Sequence, residues 1–73
     1  MAIKYIRTKD NVIVAFPGLY NHDEVARKFG GALSAGFINF SGEDTKCYGK
    51  SISLNIESDE KDSDLAISQF YYN

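Results

Sequence analysis

Of the residues that commonly staple a small protein, this chain has almost none: one cysteine, Cys47, and one histidine, His22, in 73 positions. A lone thiol forms no disulfide within a monomer, and one His with one Cys does not close a tetrahedral zinc site. With a single proline and no Gly/Ser-rich tract, there is no linker and no low-complexity segment to divide the chain. No apolar run approaches the ~18 residues of a membrane-crossing helix, so no membrane partner is expected. The opening residues, MAIKYIRTKD, place charges where an export signal needs an apolar stretch. Taken with the lone thiol, that predicts a reducing, cytoplasmic setting. Charge of neither sign dominates. Residues 1–56 carry seven Lys/Arg against five Asp/Glu, and residues 57–73 carry five acids against Lys61. Neither part has the basic footprint of a nucleic-acid binder or the acid load of a DNA mimic.

What is present is an ordinary globular composition, 44% apolar, with five Tyr and five Phe as large contact residues. The length gives a single domain, 1–73, with one small core. Cores of this size seldom supply more than about 3–5 kcal/mol unaided. With disulfide and metal set aside, association into a two-fold homodimer is the expected supplement.

IKYIRT (3–8) and VIVAF (12–16) read as a β-hairpin joined by Lys9, Asp10 and Asn11. VIVAF is apolar on both faces, which fits an inner strand or one covered on both sides. Pro17 and Gly18 end it. YNHDEVARKFGG (20–31) carries the clearest local signal. Asn21 is a helix N-cap with Glu24 three residues on, Tyr20 and Val25 stand at staple positions, and Gly30 and Gly31 stop the helix. SAGFINF (34–40) reads as a strand. From Tyr48 the pattern alternates, with Ile52, Leu54 and Ile56 on one side and Ser51, Ser53 and Asn55 on the other, which predicts a fourth strand. Ser58 is a candidate cap for a second helix that opens with Asp59, Glu60 and Asp62 and turns Leu65, Ala66 and Phe70 inward, although AISQFYY (66–72) also suits a strand. The expected fold is α+β in the order β-β-α-β-β-α: a mainly antiparallel four-stranded sheet with two helices packed on one face.

GEDTKCYGKS (42–51) looks at first like a phosphate loop. The position of the first glycine holds Asp44, Gly42 and Gly49 are too far apart, and the segment leads into a strand rather than a helix, so the match fails. Cys47 as a nucleophile needs a base, and His22 is the one histidine available. The plainer readings are a small apolar residue for Cys47 and a solvent-facing first-turn residue for His22. The acids at 57–64 lack the order and glycine of a calcium loop and read better as a helix start. Lys4, Arg7, Lys9, Lys46 and Lys50, with Tyr5 and Tyr48, are a candidate basic aromatic face, but the positives are spread over several strands without an RNA-binding motif, and nucleic acid is not the expected partner. No catalytic, metal or cofactor residue is assigned, and no cofactor is expected.

NHDEVARKFGG, SAGFINF and CYGKSISL, with the Ser/Asp-rich start of the last helix, resemble a group of short uncharacterised bacterial proteins carried on phages, prophages and other mobile elements. The resemblance covers residues 3 to about 70 and is most specific at SAGF (34–37) and CYG (47–49). It implies a genetic setting and transfers no activity. The functional expectation is a non-catalytic binding or protein-interaction module, possible roles being accessory or inhibitory. Leu19, Tyr20, Phe70, Tyr71 and Tyr72 are the candidate interface. The alternatives are a small enzyme with Cys47 or His22 at a homodimer interface, and a weak nucleic-acid binder using the sheet lysines.

Overall fold

The computed structural model describes residues 2–72. Strand β1 (Ile3–Arg7) returns through a tight turn as β2 (Ile13–Pro17). Asn11 holds φ 62° in that turn, a left-handed conformation that Asn tolerates better than most residues. Thr8 Oγ1 fixes the turn by accepting the backbone N–H groups of Asp10 and Val12. Helix α1 (His22–Lys28) follows, then β3 (Ser34–Asn39), a 3₁₀ turn (Gly42–Asp44), β4 (Lys46–Tyr48), a small hairpin of β5 (Lys50–Ser51) and β6 (Ile56–Glu57), and helix α2 (Asp62–Tyr71). The four longer pairing segments form one antiparallel sheet in the order β2-β1-β3-β4. The class is α+β, as expected from the sequence.

Adjacent residues of a strand point to opposite faces, and both faces of this sheet are covered. On one, Tyr5, Ile13 and Ile38 pack beneath Ala66 of α2, with Leu65, Phe40 and Cys47 at the margin. On the other, Ile6, Phe16 and Ala35 pack beneath Ala26 of α1, with Leu54 and Ile56 of the β5–β6 hairpin alongside. The two helices therefore lie on opposite faces instead of sharing one. The reason is visible in β2. Val14 and Phe16 face α1 while Ile13 and Ala15 face α2, so helices on one side only would leave half of this strand's apolar surface in water. β2 is an edge strand covered on both sides, not an inner one.

Three local readings also change. The alternation from Tyr48 to Ile56 is no continuous strand. The chain leaves the sheet at Gly49, where φ is +75°, and a two-residue hairpin turns at Asn55, φ 55°. Gly36 permits that exit: a β-carbon there would lie 2.3 Å from the Tyr48 carbonyl oxygen. Ser58 is not the cap of α2, whose N-cap position is Lys61; the Ser58 N–H donates to the Gly49 carbonyl. Asp59 Oδ1 accepts from the Lys61 N–H at 3.0 Å and shapes the turn before α2, which begins at Asp62. The last segment is helical.

α2 also reaches the backbone of both edges of the sheet. Thr8 pairs with Val12 through the backbone, so the outward-facing residues of β2 are Ile13, Ala15 and Pro17. The Gln69 side-chain amide takes both backbone groups of Ile13, donating to its carbonyl and accepting from its N–H at 2.8 Å each. Pro17 has no N–H to offer. At the opposite edge the Cys47 N–H donates to Ser63 Oγ at 2.8 Å.

Candidate functional site

A dense polar constellation is buried where α2 begins. Asp62 is fully enclosed at the start of α2, and its Oδ2 accepts from Tyr5 Oη at 2.5 Å, Ser34 Oγ at 2.6 Å and the Asp59 N–H at 2.9 Å. Alternation along β1 sends Tyr5 and Arg7 to the same face, and register places Ser34 directly beside Arg7. Arg7 Nε lies 2.8 Å from Asp62 Oδ1, but its N–H is aligned on Ser34 Oγ at 2.9 Å. Oδ1 is thus balanced by charge without a directed hydrogen bond. Arg7 Nη1 donates to Asn11 Oδ1 at 2.7 Å, and Nη2 stands 3.6 Å from Asp59. Tyr5 and Ser34 donate to Asp62 itself, while the outer Arg7 nitrogens reach Asn11 and Asp59 toward the surface. The arrangement ties the start of α2 to β1 and β3.

Cys47 is half-buried beside this network. Burial, with the Asp62 charge adding to it, pushes its thiol up to about 11, so it is protonated and poorly nucleophilic at neutral pH. His22 is not solvent-facing. It is 4% exposed, packed edge-on between Phe16 and Phe37 at centroid distances of 5.6 and 5.8 Å, and its Nε2–H donates to the Gly36 carbonyl at 2.7 Å. Burial holds its pKa below the ordinary imidazole value, and the ring is neutral. Cys47 packs with the α2 cluster and His22 with Phe16 of the α1 cluster, so the sheet separates them within one chain.

The proposed basic aromatic face does not form. Tyr5 and Arg7 are buried under α2. Lys4 and Tyr48 project to the other face, where Lys4 Nζ donates to the Tyr20 carbonyl at 2.8 Å and Tyr48 stacks on Phe37. Among the described residues no group of three or more His, Cys, Asp and Glu is placed to hold a metal ion, and no helix is long and apolar enough to cross a membrane.

Two apolar hollows flank the Pro17 end of β2. One, of about 350 Å³, is lined by Ile3, Ala15, Phe16, Pro17 and Phe40. The other is lined by Phe16, Pro17, Tyr20, Val25 and the chains of Glu24 and Lys28. Phe16 and Pro17 belong to both, so the hollows meet round the strand's edge. Phe70 joins the first by packing edge-on against Phe40 at 5.1 Å. Leu19, Tyr71 and Tyr72 are exposed, and Tyr72 Oη donates to Glu43 beside the 3₁₀ turn. The candidate interface residues thus fall on two sides of the β2 edge, Tyr20 on one and Phe70 on the other. Ile3, Ala15 and Phe40, which join Phe70 to the edge, were not singled out in sequence. Their signal was Pro17, which marks the end of an edge strand. Comparisons with protein-family models, with curated proteins and with solved structures find no match to this chain.

Proposed function

We propose that this chain is a non-catalytic interaction module whose binding surface is the apolar rim around the Pro17 end of β2, and that its first partner is a second copy of itself. The observation that carries this reading is the pair of hollows sharing Phe16 and Pro17, extended by the exposed rings of Phe70 and Tyr20. Large apolar side chains gathered on one surface mark interaction sites, and aromatics are the usual anchors. Strand-to-strand pairing along this edge is restricted, because Gln69 occupies Ile13 and Pro17 lacks a donor, which leaves Ala15 with the outward N–H between them. The protonated Cys47 and the neutral, hydrogen-bonded His22 further favour binding over catalysis. The mobile-element resemblance would give such a module an accessory or inhibitory setting, and a cytoplasmic location belongs to the same reading.

Sedimentation of the wild-type chain and of an Ile3→Lys, Phe70→Lys variant tests it. The wild type is expected to sediment as a dimer at high micromolar concentration, and the folded variant as a monomer. A wild type that stays monomeric at that concentration excludes self-association through this rim. Dimers that persist in the variant place the interface elsewhere.

A further inference from the structure

We infer that a second cleft, on the α1 face, is a binding site for a small organic anion: an apolar or aromatic molecule carrying a phosphate or carboxylate group. The cleft, of about 570 Å³, lies between β1, β3, the Asn21–His22 corner and the β5–β6 hairpin, and its size is in the range of small-ligand sites. Two lysines from different strands, Lys4 and Lys50, line it, and no carboxylate does. Asp23 of α1 does not line the cleft: its Oδ2 stands 3.6 Å from Arg27, while its Oδ1 is buried without a hydrogen-bond partner. Glu57 stands opposite Lys50 in register, yet among the described residues Lys50 makes no ion pair. Lys4 is held in place by its bond to the Tyr20 carbonyl, which uses one of the three ammonium donors and leaves two for a ligand.

The remaining walls are suited to an apolar body. Phe37 and Ile52 line the cleft, and Ile52 is 84% exposed at the hairpin turn, the most solvated large apolar side chain among the described residues. The hairpin is not loose there. Ser53 Oγ accepts the Asp23 N–H at 3.3 Å, and Ser51 Oγ accepts the Leu54 N–H at 3.1 Å, so the far wall is pinned to α1. The His22 ring forms part of the lining with its orientation fixed by Gly36. Anionic oxygens between the two ammonium groups, with the apolar part against Phe37 and Ile52, complete the chemistry the cleft leaves open.

An NMR titration of the full chain with phenyl phosphate, benzoate and neutral benzyl alcohol decides the matter. Saturating shifts at the amides of Lys4, His22, Phe37 and residues 50–53 are expected with an anion and not with the alcohol. Response to phenyl phosphate alone identifies a phosphate site, and response to both anions shows that carboxylate oxygens suffice. A Lys4→Met, Lys50→Gln variant is expected to bind about tenfold more weakly, from two partly exposed charge contacts. If that variant loses its dispersed spectrum, Lys50→Gln alone, at an exposed position, is expected to weaken binding by about threefold. Absence of saturable shifts with both anions, an equal response to benzyl alcohol, or unchanged affinity in the folded lysine variant overturns the inference.

Discussion

Asp62 is a carboxylate removed from water, and its stability depends on four neighbours contributed by three separate parts of the chain. Removing one member of a buried ion pair costs more than the pair contributes, because the other charge stays buried without compensation. Arg7→Met is therefore expected to destabilise by about 3–5 kcal/mol, comparable to the whole stability of a domain this small. Circular dichroism should show the variant largely unfolded at 25 °C. Ser34→Ala keeps both charges and removes one donor and one acceptor, so a loss of about 1–3 kcal/mol in a urea titration is expected. The titrating groups give a second prediction, with opposite signs at the two ends of the pH range. His22 has a folded pKa below its ordinary 6.5, so the unfolded chain binds the extra proton first and stability falls as pH drops below about 6.5. Cys47 rises from 9.0 to about 11 and Tyr5 rises with it, so the unfolded chain loses protons first and stability falls as pH climbs above about 9. Urea midpoints should form a plateau between these limits. A folded His22→Leu variant should lose most of the acid-side slope, and an unchanged slope would show that His22 is not its source.

Helix α1 was legible in the sequence because its signals are local: the Glu24 side chain does accept the Asn21 N–H, and Gly30 and Gly31 do take positive φ. The β1–β2 hairpin was legible for the same reason, with Asn11 supplying the left-handed residue. The segment from Tyr48 to Ile56 was not. A two-residue strand, a turn and another two-residue strand reproduce period-two alternation well enough to imitate one strand, and the bend depends on Gly49 crossing Gly36, a contact between residues far apart in sequence. The Asp62 network was hidden likewise, because Tyr5 and Asp62 are 57 positions apart. The role of α2 as a clamp across the sheet was also out of reach, since Ser63 and Gln69 resemble ordinary surface residues of a helix. That role is testable. Gln69→Ala is expected to cost about 1 kcal/mol and to open the Ile13 N–H to water. Hydrogen exchange at Ile13 should accelerate beyond the global loss of stability, while Val14, bonded toward β1, should follow the global change. Equal acceleration at both amides would mean that Gln69 acts only through helix packing.

The molecule has two apolar clusters and a single sheet to hold them apart. Tyr5 and Ile6, consecutive on β1, are each a fully buried member of a different cluster. Neither cluster can lose its strands without dissolving the other, and α2 joins the two sheet edges from above. The architecture therefore predicts one cooperative unit despite two separate packing layers, and small single domains commonly unfold in this way. Ile6→Val lies on the α1 face and Ile38→Val on the α2 face, and each is expected to cost about 0.5–1.5 kcal/mol. Because the side chains face opposite clusters, the two losses should add within about 0.5 kcal/mol in the double variant. In every variant, far-ultraviolet circular dichroism and tyrosine fluorescence should report one coincident urea transition. Tyr5 sits in the α2 cluster, whereas Tyr20 and Tyr48 lie on the α1 side of the sheet, so the fluorescence follows both faces, and a fluorescence transition displaced from the circular dichroism in either variant would show that one layer opens before the other.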